Sequence, residues 1–429
     1  MSRPDFYADL EARGLVHQAT ATDVAGFLRE GPVTAYIGFD PSADSLHVGS
    51  LLQVLGLARL QRAGHRPIAV VGGGTGMIGD PSGKSAERNL LTAEVLEANL
   101  TGQRRQLERL LDFSGPSAAR VVNNLDWLGK LDLIGFLRDI GKHFSVNAML
   151  QRDSVQLRLA ARDQGLSYTE FSYALLQAYD YLELHDRYGC RLQMGGSDQW
   201  GNITDGCDLI RRLRQVVAHG ITMPLITKSD GSKFGKTESG TVWLDPKRTS
   251  EFAFYQYWLN TPDSDVARFL GFFTYLDPRD VADVAARHAA EPAKRAAQRL
   301  LAEHVTRLVH GDDVLAAAQR ATAVLFEGGD LRSLSPAEIA EGLADAPRTG
   351  VSRAELGGEG LELAGALVRC GLAPSKGQAR TSIQAGAVSV NHEVVKDAAR
   401  RLTERDLVAE RFVVLRRGKK TYSLLDVAG

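Results

Sequence analysis

Through its first half the chain alternates short apolar runs with helix-length amphipathic patterns, and that alternation leaves few folds open. TAYIGFD (34–40), PIAVVGG (67–73), ARVVNN (119–124) and CRLQMGG (190–196) have the length and continuity of buried strands. Between them, HVGSLLQVLGLARLQRAG (47–64) reads as a helix closed by Gly64, and SAERNLLTAEVLEANLTGQRRQLERLL (85–111) as a long amphipathic helix. Further helices are expected over 131–140, 169–183 and 198–215. Strands joined through helices run parallel, because the crossover returns the chain to the same end of the sheet. The expected fold class is α/β, a doubly wound parallel sheet.

After about Thr249 the strand signal stops. Residues 250–326 read as successive helices, and 327–360, rich in Gly, Ser, Pro and acids, as a linker with at most one short helix. From Leu361 a helical pattern returns, followed by short strands such as AVSVN and FVVLRRGKKTYSLL. Charge divides along the same line. Residues 366–429 hold 12 Lys+Arg against 6 Asp+Glu, a net of +6, while the rest of the chain holds 39 against 46. A basic module on an acidic body points to a nucleic-acid partner. Cys190, Cys207 and Cys370 are odd in number, with no C-x-x-C, which favours a reducing compartment and no structural zinc. The start carries no apolar signal segment, and no run nears the ~20 apolar residues of a membrane span. The cytoplasm is the expected location.

The stretch VVGGGTGMIGDPSGKSAER (70–88) carries two nucleotide signatures, and both fail. Gly74, Gly76 and Gly79 spell G-x-G-x-x-G, but Asp80-Pro81-Ser82-Gly83 blocks direct helix entry, and Asn99 stands where an acidic residue should follow. Gly83-Lys84-Ser85 resembles the end of a P-loop, but Ile78 occupies the position of its first glycine. What remains is a glycine-rich strand-to-helix loop at the sheet's carboxyl edge, where glycines would give a ligand clearance.

Three other constellations carry chemistry. In FDPSADSLHVGS (39–50) a strand ends at Asp40, and His47 and Gly49 stand at the next helix start, where free N–H groups and the dipole suit a phosphate. Alone, His47 is more readily a cap or surface residue. In KSDGSKFGKTESG (228–240) Lys233 and Lys236 sit on a Gly- and Ser-rich loop able to follow a polyphosphate; alone, such a loop is usually a solvated turn. In YALLQAYDYLEL (173–184) Tyr173, Gln177 and Asp180 fall at i, i+4 and i+7, on one helix face. That face is either solvent-exposed or a polar recognition stripe.

The order of these signals is more specific than any one of them. HVGS and KFGKT resemble the HIGH and KMSKS motifs of class I aminoacyl-tRNA synthetases. YIGFDPSADSLHVG, GDPSGKSAER, FSYALLQAYDYL and GGSDQWGNI (195–203) resemble the bacterial-type tyrosyl-tRNA synthetases, and GLAPSKGQARTSIQAGAVSVN resembles a small RNA-binding module shared with a ribosomal protein. The chain departs from the pattern at Ser50, the last HIGH position, and at Gly235, where KMSKS has serine.

The resemblance implies a Rossmann-like catalytic domain over 1–248, an α-helical anticodon-side domain over 249–326, a linker over 327–360 and an α+β RNA-binding module over 361–429. It implies ATP-dependent formation of tyrosyl-adenylate and transfer to the terminal adenosine of tRNA, with Mg²⁺ accompanying ATP, no dedicated metal site, and a homodimer. Tyr36 and Asp180 would hold the phenolic OH of tyrosine. Asp80, Tyr173 and Gln177 would hold its ammonium group, and Gln199 would lie near its carboxylate. Asp40 and Asp198 would border the adenosine and ribose, and Gly38 and Gly49 would also belong to the ATP site. Ser42, His47, Lys84, Arg88, Lys233 and Lys236 would contact or steer the phosphates. The competing readings are a tryptophanyl-tRNA synthetase, a non-catalytic RNA-binding factor on the same scaffold and a nicotinamide dehydrogenase. The Tyr36/Asp180 pair, the intact HVGS and KFGKT motifs and the failed glycine fingerprint weigh against them in turn.

Overall fold

The apolar runs gather into a six-stranded sheet. The structure, a computed structural model, describes residues 4–20, 23–82, 91–160, 165–229, 231, 234–237, 240–344, 346–418 and 421–428. Strands β1 (Gln18–Ala19), β2 (Thr34–Phe39), β3 (Arg66–Val71), β4 (Arg120–Asn123), β5 (Cys190–Gly196) and β6 (His219–Met223) lie in the order β1-β6-β5-β2-β3-β4. All pairings are parallel except that of edge strand β1 with β6. From β2 the chain builds outward through β3 and β4, then returns to the other side of β2 for β5 and β6. Such a reversal opens a crevice at the carboxyl ends of the two central strands. The ends of β2 and β5, at Phe39 and Gly196, therefore mark where a ligand fits.

Helices α1 (Val48–Arg62), α2 (Ala93–Leu110), α3 (Leu133–Asp139), α4 (Val146–Leu150), α5 (Asp153–Ala160), α6 (Tyr168–Tyr188) and α7 (Trp200–Arg214) join these strands. The part of the expected 85–111 helix before residue 91 lies outside the described residues. The helix expected from 198 starts at Trp200, after a 3₁₀ turn over Ser197–Gln199. The ends of α6 follow from sequence: Ser167 and Glu170 cap its start reciprocally, and Gly189 takes the left-handed conformation that stops it. Tyr36, Ile68 and Val70 of the sheet pack with Ala178, Tyr181 and Leu182 of α6 and Leu209 and Ile210 of α7. Full burial is worth about 1.5–3 kcal/mol per large apolar side chain, enough to fix α6 and its polar residues on the sheet.

A two-stranded hairpin follows, β7 (Lys236–Thr237) with β8 (Gly240–Thr241), then helices α8 (Glu251–Leu259) and α9 (Asp263–Phe273). The chain divides into two compact units: residues 1–249 with 258–309, and residues 250–257 with 310–429. The helical stretch expected over 249–326 is thus shared between the two.

In the second unit, α10 (Pro336–Gly342), β9 (Arg348–Ser352) and a one-turn helix Arg353–Leu356 occupy the stretch expected to be a linker. That expectation is corrected for a physical reason. The Ser, Pro and acidic residues of 335–355 are helix-start chemistry: Ser335 with Glu338 and Ser352 with Glu355 form reciprocal caps, and Pro336 opens α10. β9 pairs in parallel with β15 (Thr421–Ala428), closing a sheet ordered β12-β11-β14-β15-β9 with β11 (Val388–Val390), β12 (Glu393–Val395) and β14 (Phe412–Arg417). A short pair, β10 (Leu361–Glu362) with β13 (Arg401–Leu402), stands beside it in sequence. Helices α11 (Leu363–Arg369) and α12 (Lys376–Gln384) pack through Leu363, Leu367 and Ile383 against Val388, Val413 and Leu425.

The charge asymmetry is reshaped by this arrangement. Residues 310–365 hold 4 Lys+Arg and 10 Asp+Glu, so 310–429 carries 16 of each. Lys376 and Arg380 bind Glu362, Arg369 binds Glu355, and Arg401 meets Glu359. Hydrogen bonds from Lys376 and then Arg380 pull the Glu362 carboxyl down to about 2. The basic run from 366 is partly neutralised inside its own unit.

Candidate active site

The crevice between β2 and β5 holds a cleft of about 300 Å³. Its lining includes Tyr36, Gly38 and Asp40 from the end of β2, His47 and Gly49 from the start of α1, and Asp80 from the loop after β3. Tyr173, Gln177 and Asp180 enter from α6, and Asp198 and Gln199 from the turn after β5. Eleven of the expected site residues thus meet in one place. Ser42 is exposed and Lys236, also exposed, begins β7; neither lines the cleft. Lys84, Arg88 and Lys233 lie outside the described residues.

Asp180 is the most constrained of the group. It is 4% exposed, accepts from the Trp127 indole N–H at 2.6 Å, and accepts from Asn124 Nδ2 at 2.9 Å. Burial pushes its carboxyl up to about 7, against the pull of those two donors. Tyr36, 2% exposed, has a buried hydroxyl with no hydrogen-bond partner among the described residues. Its neighbour across the sheet is Gln193 of β5, whose buried Oε1 is likewise unpartnered. Buried polar atoms left in this way are costly unless something else completes them. A phenol has the chemistry to do so, since its hydroxyl can donate to a carboxylate and accept from a second hydroxyl.

The other end of the cleft is a connected polar network. Asp80 accepts from Gln199 Nε2 at 2.7 Å and from the Ser82 N–H at 2.8 Å. Gln177 Nε2 donates to Gln199 Oε1 at 3.1 Å, and Asn202 Nδ2 donates to Gln177 Oε1 at 3.0 Å. Burial, then the negative field of Asp80, hold the Tyr173 hydroxyl far above its usual range, so it stays a neutral hydrogen-bond group. A carboxylate beside neutral amides and a phenol suits an ammonium ion.

His47 is a helix cap as well as a site residue. Its Nδ1 accepts from the Ser50 N–H at 3.2 Å, which leaves Nε2 to carry the proton and donate. This cap also explains Gly49. A Cβ there would stand 2.8 Å from the His47 ring, so the glycine makes room for the imidazole. The expectation for Gly74 and Gly76, in the loop after β3, is corrected in the same sense. A Cβ on Gly76 would meet Pro41 at 2.8 Å, and one on Gly74 would meet Leu128 at 2.9 Å. Those glycines let the loop pack on its neighbours, rather than clearing space for a ligand.

Sequence reasoning missed Asn124, Trp127, Thr75 and Gln193. Asn124 ties the loop to the floor of the cleft: it accepts from Gly74 N–H, and donates to Thr75 and to Asp180. Gln193 was legible, since a polar residue inside the apolar strand CRLQMGG demands a partner. The Asp180 donors carried no local signal.

The family model "tRNA synthetases class I (W and Y)" matches residues 28–327, and "Tyrosine--tRNA ligase SYY-like C-terminal domain" matches residues 338–425. The tyrosine--tRNA ligase of Chromobacterium violaceum is 52% identical over 429 residues, 99% of this chain and 100% of that one. That of Geobacillus stearothermophilus is 51% identical over 427 residues, again 99% and 100%. A C-terminally truncated mitochondrial tyrosyl-tRNA synthetase of Aspergillus nidulans superposes with a TM-score of 0.68 at 32% identity, covering 76% of this chain and 95% of that one. A tryptophanyl-tRNA synthetase of Encephalitozoon cuniculi shares the fold at a TM-score of 0.52 and 13% identity, covering 73% of this chain and 87% of that one. Fold alone therefore does not separate the two amino acids, whereas end-to-end identity near one half does. The chain belongs to the tyrosine--tRNA ligases of the class I aminoacyl-tRNA synthetase family.

Proposed function

We propose that the cleft between β2 and β5 activates L-tyrosine with ATP and passes the tyrosyl group to the terminal adenosine of tRNA. One observation carries this: a buried carboxylate, Asp180, and a buried, unpartnered hydroxyl, Tyr36, in a cleft whose other end is built for an ammonium group. In this reading Asp180 and Tyr36 hold the phenol, Asp80, Tyr173 and Gln177 hold the ammonium, and Gln199 lies near the carboxylate. Asp40 and Asp198 border the adenosine and ribose, and Gly38 and Gly49 also belong to the ATP site. His47, Ser42, Lys84, Arg88, Lys233 and Lys236 serve the phosphates.

The tyrosine carboxylate attacks the α-phosphorus of ATP in line and pyrophosphate leaves; a ribose hydroxyl of tRNA then attacks the tyrosyl carbonyl and AMP leaves. The first nucleophile is already ionised, so the residues position reactants and stabilise growing negative charge rather than move a proton. His47 donates through Nε2 for this purpose. Mg²⁺ accompanies ATP through phosphate oxygens and water. In single-turnover kinetics, Lys236→Ala lowers the rate of adenylate formation by about 10- to 100-fold and leaves tyrosine affinity within about twofold. The reverse pattern would remove Lys236 from the phosphate role.

The raised Asp180 carboxyl predicts a pH profile. Its folded-state value of about 7 exceeds the ordinary 3.8, so the folded protein holds this proton more tightly than the unfolded chain. Its contribution to stability is present below about pH 4 and is lost as pH rises towards 7. Tyrosine binding uses the ionised form, so affinity strengthens about tenfold per pH unit below 7 and levels off above it. Calorimetric titration from pH 5.5 to 8 checks this, and Asp180→Asn flattens the profile. A flat profile in the parent protein would contradict the donor–acceptor assignment.

A homodimer is part of the proposal. Leu133 and Ile134 of α3 are 69% and 70% exposed, and Val146, Leu150 and Leu159 on the next two helices are exposed as well. Successive helices presenting large apolar groups to water call for a partner surface, and a second copy is the occupant the family implies. Ile134→Asp shifts the sedimentation coefficient to that of a monomer; unchanged sedimentation would place the interface elsewhere. A reducing location, the cytoplasm, suits the three free cysteines. Among the described residues no helix is long and apolar enough to cross a membrane.

A further inference from the structure

The KFGKT segment is fastened to the body of the first unit at three places, and helix α9 supplies two of them. At the base of the segment, buried Asp265 accepts from the Ser229 N–H at 3.1 Å and from its hydroxyl at 3.2 Å, while Arg268 donates to the Thr227 carbonyl at 2.7 Å. Further along, the Phe234 ring stacks on Phe273 at 5.4 Å and meets Phe269 edge-on at 5.0 Å. Trp258, at 6.0 Å, closes the same socket. Offset and edge-to-face aromatic pairs at these separations are attractive beyond the area they bury.

The third fastening joins the two signature motifs directly. Gly235 has φ +78°, and a Cβ there would lie 2.9 Å from Val48 Cγ2, in the first turn of α1. Val242 N–H donates to the Gly235 carbonyl, and Val48 N–H donates to the Val242 carbonyl. Glycine at 235, where the KMSKS pattern has serine, is therefore what this close approach and left-handed backbone require. The far end of α1 also grips α9: Arg59 donates to the carbonyls of Gly271 and Thr274 at its C-terminus. HVGS and KFGKT are thus both referred to one helix.

We infer that Phe234, seated on α9, is a positioning residue that fixes where Lys236 stands relative to the start of α1. Phe234 touches no reacting atom. It acts through Lys236, so the inference rests on the phosphate role proposed for that lysine. Without the anchor, Lys236 samples more positions, and the loss falls on the transition state rather than on tyrosine binding.

The test uses the full-length chain, with tyrosyl-adenylate formation in single turnover and tyrosine affinity by titration. Phe234→Ala should form adenylate about 10- to 100-fold more slowly, with tyrosine affinity within about twofold. Phe234→Leu, which refills the socket, should recover to within about threefold of the parent. The double variant Phe234→Ala/Lys236→Ala should be no slower than Lys236→Ala alone, because one effect passes through the other. A parental rate in Phe234→Ala, or additive losses in the double variant, would overturn the positioning role while leaving Lys236 in place. A parental rate in Lys236→Ala would overturn the phosphate role itself, and this inference with it. Should Phe234→Ala fail to fold, Phe234→Val makes the same comparison.

Discussion

Asp180→Ala lowers tyrosine-dependent pyrophosphate exchange by a factor of about 10² to 4 × 10³. A hydrogen bond between a buried charged acceptor and the substrate phenol, once broken, costs about 3–5 kcal/mol with the partner left unpaired, and 1.4 kcal/mol is tenfold. The substitution also strands the Trp127 indole N–H and the Asn124 amide, the two donors that hold Asp180. Thermal stability should be measured alongside, so that any loss of fold is separated from loss of activation. Selectivity changes as well. On the proposed reading phenylalanine leaves Asp180 and Tyr36 without their shared hydroxyl, a loss that corresponds to the discrimination of about 10⁵ known for tyrosyl-tRNA synthetases. In Asp180→Ala most of that margin disappears, because neither substrate then meets a carboxylate. Exchange at the parental rate would show that the cleft recognises its amino acid by another route.

Deleting residues 347–429 should reduce tRNA charging by on the order of 10² in kcat/KM while leaving tyrosine activation within about twofold. The cut belongs before Pro347, not at the start of the basic run near 366. β9 is an edge of the same sheet as β15, and Val351, Leu356 and Leu363 belong to that unit's core. A cut at 366 would leave these apolar groups and the open edge of β9 in water, inviting aggregation. Because Glu355, Glu359 and Glu362 engage four of the basic residues, electrostatic contact with RNA phosphates falls to a smaller set than the net +6 of 366–429 suggests. The charging reaction should weaken with rising salt in the full chain and lose most of that dependence in the truncated one. Undiminished charging by the truncated chain would contradict the role given to this unit.

Periodicity and order made much of the architecture legible. Apolar strands spaced by helices imply a parallel sheet, and its reversal point between β2 and β5 lies where FDPSADSLHVGS and GGSDQWGNI had been singled out. The stripe Tyr173, Gln177 and Asp180 was visible because helical spacing is local. The groups that give Asp180 its character were not. Asn124 and Trp127 stand more than fifty positions away in sequence and reach it only through tertiary packing, so no pattern near 180 announces them. Gly74 and Gly76 misled for a related reason. A glycine records that something comes close, not what comes close, and here the neighbours of Gly74 and Gly76 are Leu128 and Pro41. The 335–355 stretch was misread because Ser, Pro and Glu serve loops and helix caps alike, and only the residues after them decide which.

On the proposed reading the buried Asp180 carboxylate and the Tyr36 hydroxyl make this a cleft for tyrosine. Pyrophosphate exchange into ATP by the full-length chain, with tyrosine, tryptophan, phenylalanine or no amino acid, tests it most directly. Exchange supported by tyrosine and not above background with the other three is the predicted result. Exchange supported equally by phenylalanine, or better by tryptophan, would contradict it.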